Sequence, residues 1–406
     1  MVSPARSCLI CKGARALCGL QKCPVLTRFS VKNAIFPKLK EDFFGQATSV
    51  FIGRHNYPNV FIGPLAPLTG ENARVIDSPS SWFGMDYSAI IGMRSALLRS
   101  KSMANVLSVS SSRIVSDLQE IALASRPPDV EMHFKGVPVY RVSFSDVVQP
   151  MGPSATLKKL SVTENIHVER HVERIVSDEM PARQAGFQLY RSGEDVYRIS
   201  TILSSGALGM EDRKRLVPTR WSITASQTMV ADMLIGEIKQ LPEVNEFRVY
   251  SSSYLDNHFE ILLMPGKWEF ENFEAWAPGT PWSMGAKKAE VLAEYEPNGG
   301  RTTYAELQGG GFYASRLGVA EGLKGLGRQA RVAVFREVHK GYVVPLGVWQ
   351  VLENVRNAFR QPSVRFGTKE ESLGYIGKRL RLPLSEYIRQ SVILRQKRLH
   401  DFMKAV

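Results

Sequence analysis

The sequence predicts an α+β fold of mixed sheets and helices, preceded by a small N-terminal zinc-binding knuckle. Three observations carry that expectation. Short β-branched and aromatic runs mix with amphipathic stretches without the regular strand–helix alternation of a doubly wound sheet. The 406 residues are 44% hydrophobic and 22% charged, a composition that supports two or three cores. All four cysteines fall within the first 23 residues.

Strands are expected over Ser49–Ile52, Val139–Phe144, Phe247–Tyr250, His258–Met264 and Arg331–Arg336, each short and rich in Val, Ile, Phe or Tyr. Helices are expected over Ser88–Arg99, Ser112–Ala124, Ala182–Arg191, Val196–Ser204, Ala225–Lys239, Phe312–Leu323 and Leu346–Phe359, where apolar residues recur every three or four positions. No run reaches the roughly 18 apolar residues of a membrane span. Arg6, Lys12 and Arg15 break up the first hydrophobic pieces, so no secretory leader is expected. The expectation is a soluble cytoplasmic protein.

Cys8, Cys11, Cys18 and Cys23 follow the spacing C-x2-C-x6-C-x4-C. The first pair can form a knuckle and the second can close a tetrahedral thiolate shell, with Gly13 and Gly19 supplying tight turns. Structural Zn²⁺ is the expected ion. An iron–sulfur cluster is the alternative for the same four thiolates, and disulfides do not suit a reducing compartment. A segment this small has little core, so the metal would supply much of its stability.

Charge is placed unevenly. Of 52 Lys+Arg and 39 Asp+Glu, residues 1–40 hold 8 and none, and residues 356–406 hold 12 and 4, leaving 32 and 35 between. A near-neutral body with two basic ends suits contact with a polyanion such as DNA, because each phosphate neutralised releases counterions.

The chain closes on Gln396, Lys397, Arg398, Leu399, His400, Asp401, Phe402 and Met403, three residues before its end. On a helical turn Leu399, Phe402 and Met403 share one face, an apolar plug beside a glutamine that can donate and accept. The pattern resembles the Q-x-x-h-x-x-a-a peptide by which replication and repair proteins attach to the sliding clamp PCNA, a helix-in-groove mode of recognition. Met403 stands where that motif carries an aromatic. The competing expectation is an amphipathic helix that continues Tyr387, Ile388, Val392 and Ile393 onto its own domain.

Within the body, Phe51–Pro64 puts polar and turn-forming residues, Arg54 and Asn56 among them, between two short strands, and Leu216–Thr224 runs from the basic patch Arg213, Lys214 and Arg215 through Arg220 and Ser222 into a hydroxyl-capped helix start. Gly309, Gly310 and Gly311 stand directly before a helix, with Arg316 one turn in. Glycines there let backbone N–H groups converge on an anion, so these residues with Arg54, Asn56, Arg220, Ser222 and Thr224 are candidate phosphate ligands; a close-packed loop is the alternative. Asp256, Glu260, Glu269, Glu271 and Glu274 are available for metal-assisted chemistry but match no nuclease spacing. His167 and His171 in the octet 167–174 lack a nearby third ligand and suit an exposed element.

The segments Y-P-N-V-F-I-G-P-L (57–65), V-P-T-R-W-S-I-T (217–224), G-G-G-F-Y-A-S-R (309–316) and P-L-G-V-W (345–349), followed by the clamp-type terminus, resemble in that order the archaeal Nre family of DNA repair proteins, of the NreA type. The resemblance covers nearly the whole chain, including the cysteine cluster. It implies repair of DNA damage in association with PCNA, at the nucleoid of an archaeal cell, and hands over no catalytic residues. It divides the chain into a four-Cys segment (1–30), N-terminal (31–290) and C-terminal (291–390) α+β regions, and the terminal peptide (391–406). The expectation is a clamp-recruited repair factor that contacts DNA. The alternatives are an enzyme acting on a nucleotide or nucleic-acid end in an Arg/Gly-rich pocket, and a non-catalytic repair scaffold.

Overall fold

The computed structural model describes residues 22–70, 72–142, 149–276 and 290–396, together with Cys11 and Arg15. Cys8, Cys18 and residues 397–403 of the terminal motif lie outside the described residues. The chain is α+β, built as two compact units that divide at Val230/Ala231. Each contains one six-stranded mixed sheet.

The N-terminal sheet runs β1 (Asp42–Gln46), β5 (Asp129–Phe134), β6 (Ser154–Val162), β4 (Leu97–Asn105), β3 (Asn59–Pro67), β2 (Ser49–Ile52). Only β4 and β6 pair in parallel; the other neighbours are antiparallel. Alternation drives the burial: Val50 and Ile52, Val60 and Ile62, Val130 and Met132, and Leu157 and Leu160 enter one core. The helix Arg113–Leu123 covers that core with Val115, Leu118, Ile121 and Ala122. Gly63 is required where β3 and β4 approach, since a Cβ there would lie 2.3 Å from the Ser100 carbonyl oxygen.

Expectation and structure differ at two places here. The helix predicted through Arg99 stops at Ser95, and Leu97–Arg99 begin β4. Pairing with β3 and β6 overrides the helical spacing of Leu97 and Leu98. The predicted strand Val139–Phe144 reduces to a single bridge between Val139 and Ser154, with residues 143 and 144 outside the described ones.

The C-terminal sheet runs β10 (Glu290–Glu296), β9 (Glu269–Trp276), β11 (Arg331–Val338), β8 (Asn257–Met264), β7 (Phe247–Tyr254), β12 (Val364–Phe366). Its one parallel pair, β9 and β11, is joined through β10 and the helix Gly310–Leu326. Because β7, β8 and β9 precede residue 290, this sheet draws strands from both sides of the expected 290/291 division.

Helices lie on both of its faces. On one, Phe312 of Gly310–Leu326 meets Phe270, and Phe359 of Trp349–Arg360 meets Tyr250. These two helices touch through glycines: a Cβ at Gly318 would lie 2.7 Å from Val355, and one at Gly322 2.4 Å from the Phe359 ring. On the other face Tyr387, from the helix Leu384–Gln390, packs edge-on against Phe273 and Phe335.

The acids that the sequence offered for metal chemistry are structural here. Glu271 accepts the backbone N–H groups of Val392 (2.6 Å) and Ile393 (3.2 Å) and the Ser391 hydroxyl. Glu269 pairs with Arg331, Glu274 with Arg336, and Glu260 with Arg379, while Asp256 accepts the Gly341 N–H.

Candidate nucleic-acid interface

The loop between β2 and β3 and the start of the helix Thr219–Ile238 meet in the N-terminal unit. Ile52 is on the outer edge strand, and its N–H donates to Thr219 Oγ1 at 2.9 Å, 167 residues away in sequence. Ser204 secures the same turn, donating to the Val217 carbonyl (2.7 Å) and lying 3.3 Å from the Thr219 hydroxyl. The Leu216 N–H donates to Val106, whose own N–H donates to Pro58. The loop closes on itself through the Asn59 N–H to the Asn56 carbonyl, with Asn56 at φ +65°, a conformation asparagine tolerates better than most residues.

This scaffold fixes an aromatic pair at the surface. Tyr57 and Trp221 have ring centroids 5.3 Å apart at 51°, and each is 46% exposed. Large rings left half in water need a reason, since burying each would gain a few kcal/mol, about 1.5–3. Arg54, His55, Arg213, Arg215 and Arg220 are exposed around the same two segments. No carboxylate among the described residues pairs with Arg54 or Arg220. The arrangement offers flat π surfaces for a base and guanidinium forks for phosphate.

The candidate phosphate ligands separate accordingly. Arg54, Asn56 and Arg220 are exposed on the joined segments. Ser222 is buried, its hydroxyl donating to the Thr219 carbonyl and lying 3.0 Å from that of Ser200, so it holds the helix start. The Thr224 carbonyl accepts from Thr228 within the helix.

The glycine run belongs to the C-terminal unit, where two of its three amides bond back to the chain. Gly309 donates to Ala305, Gly311 to Gln308 and Phe312 to Gly309. A Cβ at Gly311 would stand 3.3 Å from a Glu274 carboxylate oxygen, so this helix start already faces an anion of its own chain. Arg316 is only 6% exposed. Its Nε and Nη2 donate to Glu296 at 2.6 and 2.9 Å, and Nη1 stands 2.9 Å from Asp232. Burial would lower the Arg316 pKa, but Glu296 and then Asp232 outweigh it and hold it raised.

His171 Nε2 lies 2.7 Å from Glu194, and His167 Nδ1 lies 3.1 Å from Ser125, so the two imidazoles have separate partners. Cys11 is buried, and half-buried Cys23 occupies the N-cap position of the helix Pro24–Ile35. Among the described residues no group of three or more His, Cys, Asp or Glu is placed to hold a metal ion, and no helix is long and apolar enough to cross a membrane.

Of the quoted segments, 57–65 and 217–224 fall in the N-terminal unit and 309–316 and 345–349 in the C-terminal one. The profile described as Archaeal Nre, N-terminal, matches residues 17–283, and that described as Archaeal Nre, C-terminal, matches residues 296–402. The chain belongs to the archaeal Nre family. It is 34% identical over 401 residues to the DNA repair protein NreB of Archaeoglobus fulgidus, covering 98% of this chain and 100% of that one. It is 37% identical over 358 residues to the DNA repair protein NreA of Haloferax volcanii, covering 86% and 85%. The DNA repair protein NreA of Archaeoglobus fulgidus is 33% identical over 375 residues, covering 92% and 93%. No solved structure matches the fold.

Proposed function

We propose that this chain is a DNA repair factor that contacts DNA through the Tyr57–Trp221 surface and is brought there by the sliding clamp PCNA. Relatives named as DNA repair proteins support the repair role. The observation that carries the DNA contact is the exposed ring pair beside Arg54 and Arg220, with which no described carboxylate pairs. The clamp contact rests on the sequence Gln396–Met403. A tethered body reaches DNA at an effective concentration in the millimolar range, so a weak peptide suffices. Zn²⁺ held by Cys8, Cys11, Cys18 and Cys23 completes the reading, with an iron–sulfur cluster as the alternative that metal analysis of the purified protein separates.

Arg220→Glu with Trp221→Ala is expected to weaken binding to a labelled DNA by about tenfold or more at low salt, and to flatten its salt dependence. Unchanged affinity and an unchanged salt slope would refute the DNA contact. Independently, Phe402→Ala is expected to abolish co-purification with PCNA while leaving the melting curve unaltered; retained co-purification would refute the clamp contact. The reading as an enzyme with an Arg/Gly-rich pocket is disfavoured, because Arg316 and the Gly309 and Gly311 amides already have partners within the chain.

A further inference from the structure

The N-terminal sheet has a second face, opposite its core. On β4, Leu98 and Ser100 are buried inward, so Arg99, Lys101 and Met103 point to the other side. On β3, Val60 and Ile62 are inward and Phe61 is outward. Phe61 and Met103 are register partners and are 39% and 51% exposed, a side-by-side apolar pair in the middle of a sheet surface. Phe51 on β2 also faces out, with the Arg99 guanidinium 4.8 Å above its ring centre.

Among the described residues, the cations on this face have neutral partners. Arg99 donates to the Met151 sulfur at 2.9 Å and Lys101 to the Ser154 hydroxyl at 3.0 Å. No carboxylate among the described residues pairs with either. Burial, and then the charge of Arg94, pushes the Arg99 pKa down; burial, Arg99 and Arg141 do the same to Lys101. Partly desolvated like charges held side by side cost stability. An anion laid on the face removes that cost.

We propose that this face binds single-stranded DNA, with phosphates on Arg99 and Lys101 and a base on the Phe61–Met103 pair. The inference rests on the DNA-contact reading above and narrows its substrate class. Outward residues on a strand repeat about every 7 Å, close to the spacing of successive phosphates in an extended single strand. A duplex could satisfy the cations but keeps its bases stacked inside, leaving Phe61 and Met103 nothing to cover them.

The test measures fluorescence anisotropy of a labelled short oligo(dT), and of a duplex of equal length, with the full chain. Phe61→Ala and Lys101→Glu are each expected to weaken oligo(dT) binding about tenfold, with duplex binding changed less than about twofold. Met103→Glu, at the most exposed of these positions, repeats the test should either variant melt early. Oligo(dT) binding unchanged in all three variants but weakened by Arg220→Glu overturns this proposal and leaves the DNA contact standing. Loss of duplex and oligo(dT) binding in equal measure also overturns it, as does tighter binding of oligo(rU) than of oligo(dT). Wild-type protein that binds neither DNA overturns both readings.

Discussion

The two sheets share a plan, six strands with a single parallel pair inside, and treat charge in opposite ways. In the C-terminal unit Arg316, Arg331 and Arg336 are buried, and each meets a carboxylate: Glu296, Glu269 and Glu274. Helices cover both faces, so a charge there must be matched or it is stranded in low dielectric. In the N-terminal unit Arg99 and Lys101 are half-buried, Lys101 near Arg141, and among the described residues their partners are neutral. Charge in the first case closes the fold. In the second it stands without a carboxylate among the described residues.

The largest effect should come from breaking a matched pair. Glu296→Ala strands Arg316, with Asp232 as its remaining partner, and is expected to destabilise the C-terminal unit by about 3 kcal/mol in urea unfolding. Next is the glycine contact between its helices. Gly318→Ala forces a methyl into Val355 and should cost about 2 kcal/mol, with Val355→Ala restoring part of it in a double-mutant cycle.

A smaller, pH-dependent term follows from Glu337. Burial would raise its pKa, but donation from His339, from the Arg381 and Leu382 N–H groups and from the Tyr387 hydroxyl outweighs that and holds it below its ordinary value of 4.5. Its stabilisation is therefore complete above 4.5 and is lost as pH falls through the lowered value. Glu271 has the opposite sign: burial raises its pKa despite Ser391, Val392 and Ile393, so its contribution is complete below 4.5 and fades as pH rises through the raised value. Unfolding of Glu337→Gln across acid pH should show a flatter acid limb than the parent.

The smallest effect lies in the N-terminal unit. Lys101→Met should leave the ligand-free protein within about 0.5 kcal/mol of the parent, or slightly more stable. A loss as large as that of Glu296→Ala would erase the contrast between the two sheets.

Elements with an unmixed pattern were legible. Ser49–Ile52, Ala182–Arg191 and Val196–Ser204 have the bounds that periodicity predicts. β9 was not, because Glu269, Glu271 and Glu274 give it the look of an acidic surface run. Those acids are buried because their partners come from β11 and from residues 391–393, far along the chain. The candidate interface was half legible. The segments around Arg54 and Arg220 stand out by composition, but the Ile52–Thr219 bond that joins them leaves no local trace. The sequence does not mark Phe61, Arg99, Lys101 or Trp221 as site residues. For Arg99 and Lys101 the signal is their alternation with buried Leu98 and Ser100 on β4, which a helical reading through Arg99 obscures.

Residues Ser391–Leu394 are gripped from three sides: by Glu271 of β9, by Arg331 of β11 donating to the Ile393 carbonyl, and by Lys369 donating to that of Leu394. Tension applied beyond Gln396 would therefore enter the parallel strands β9 and β11 and not a frayed surface helix. A C-terminal unit hauled by its tail would take its heading from where that tail is riveted.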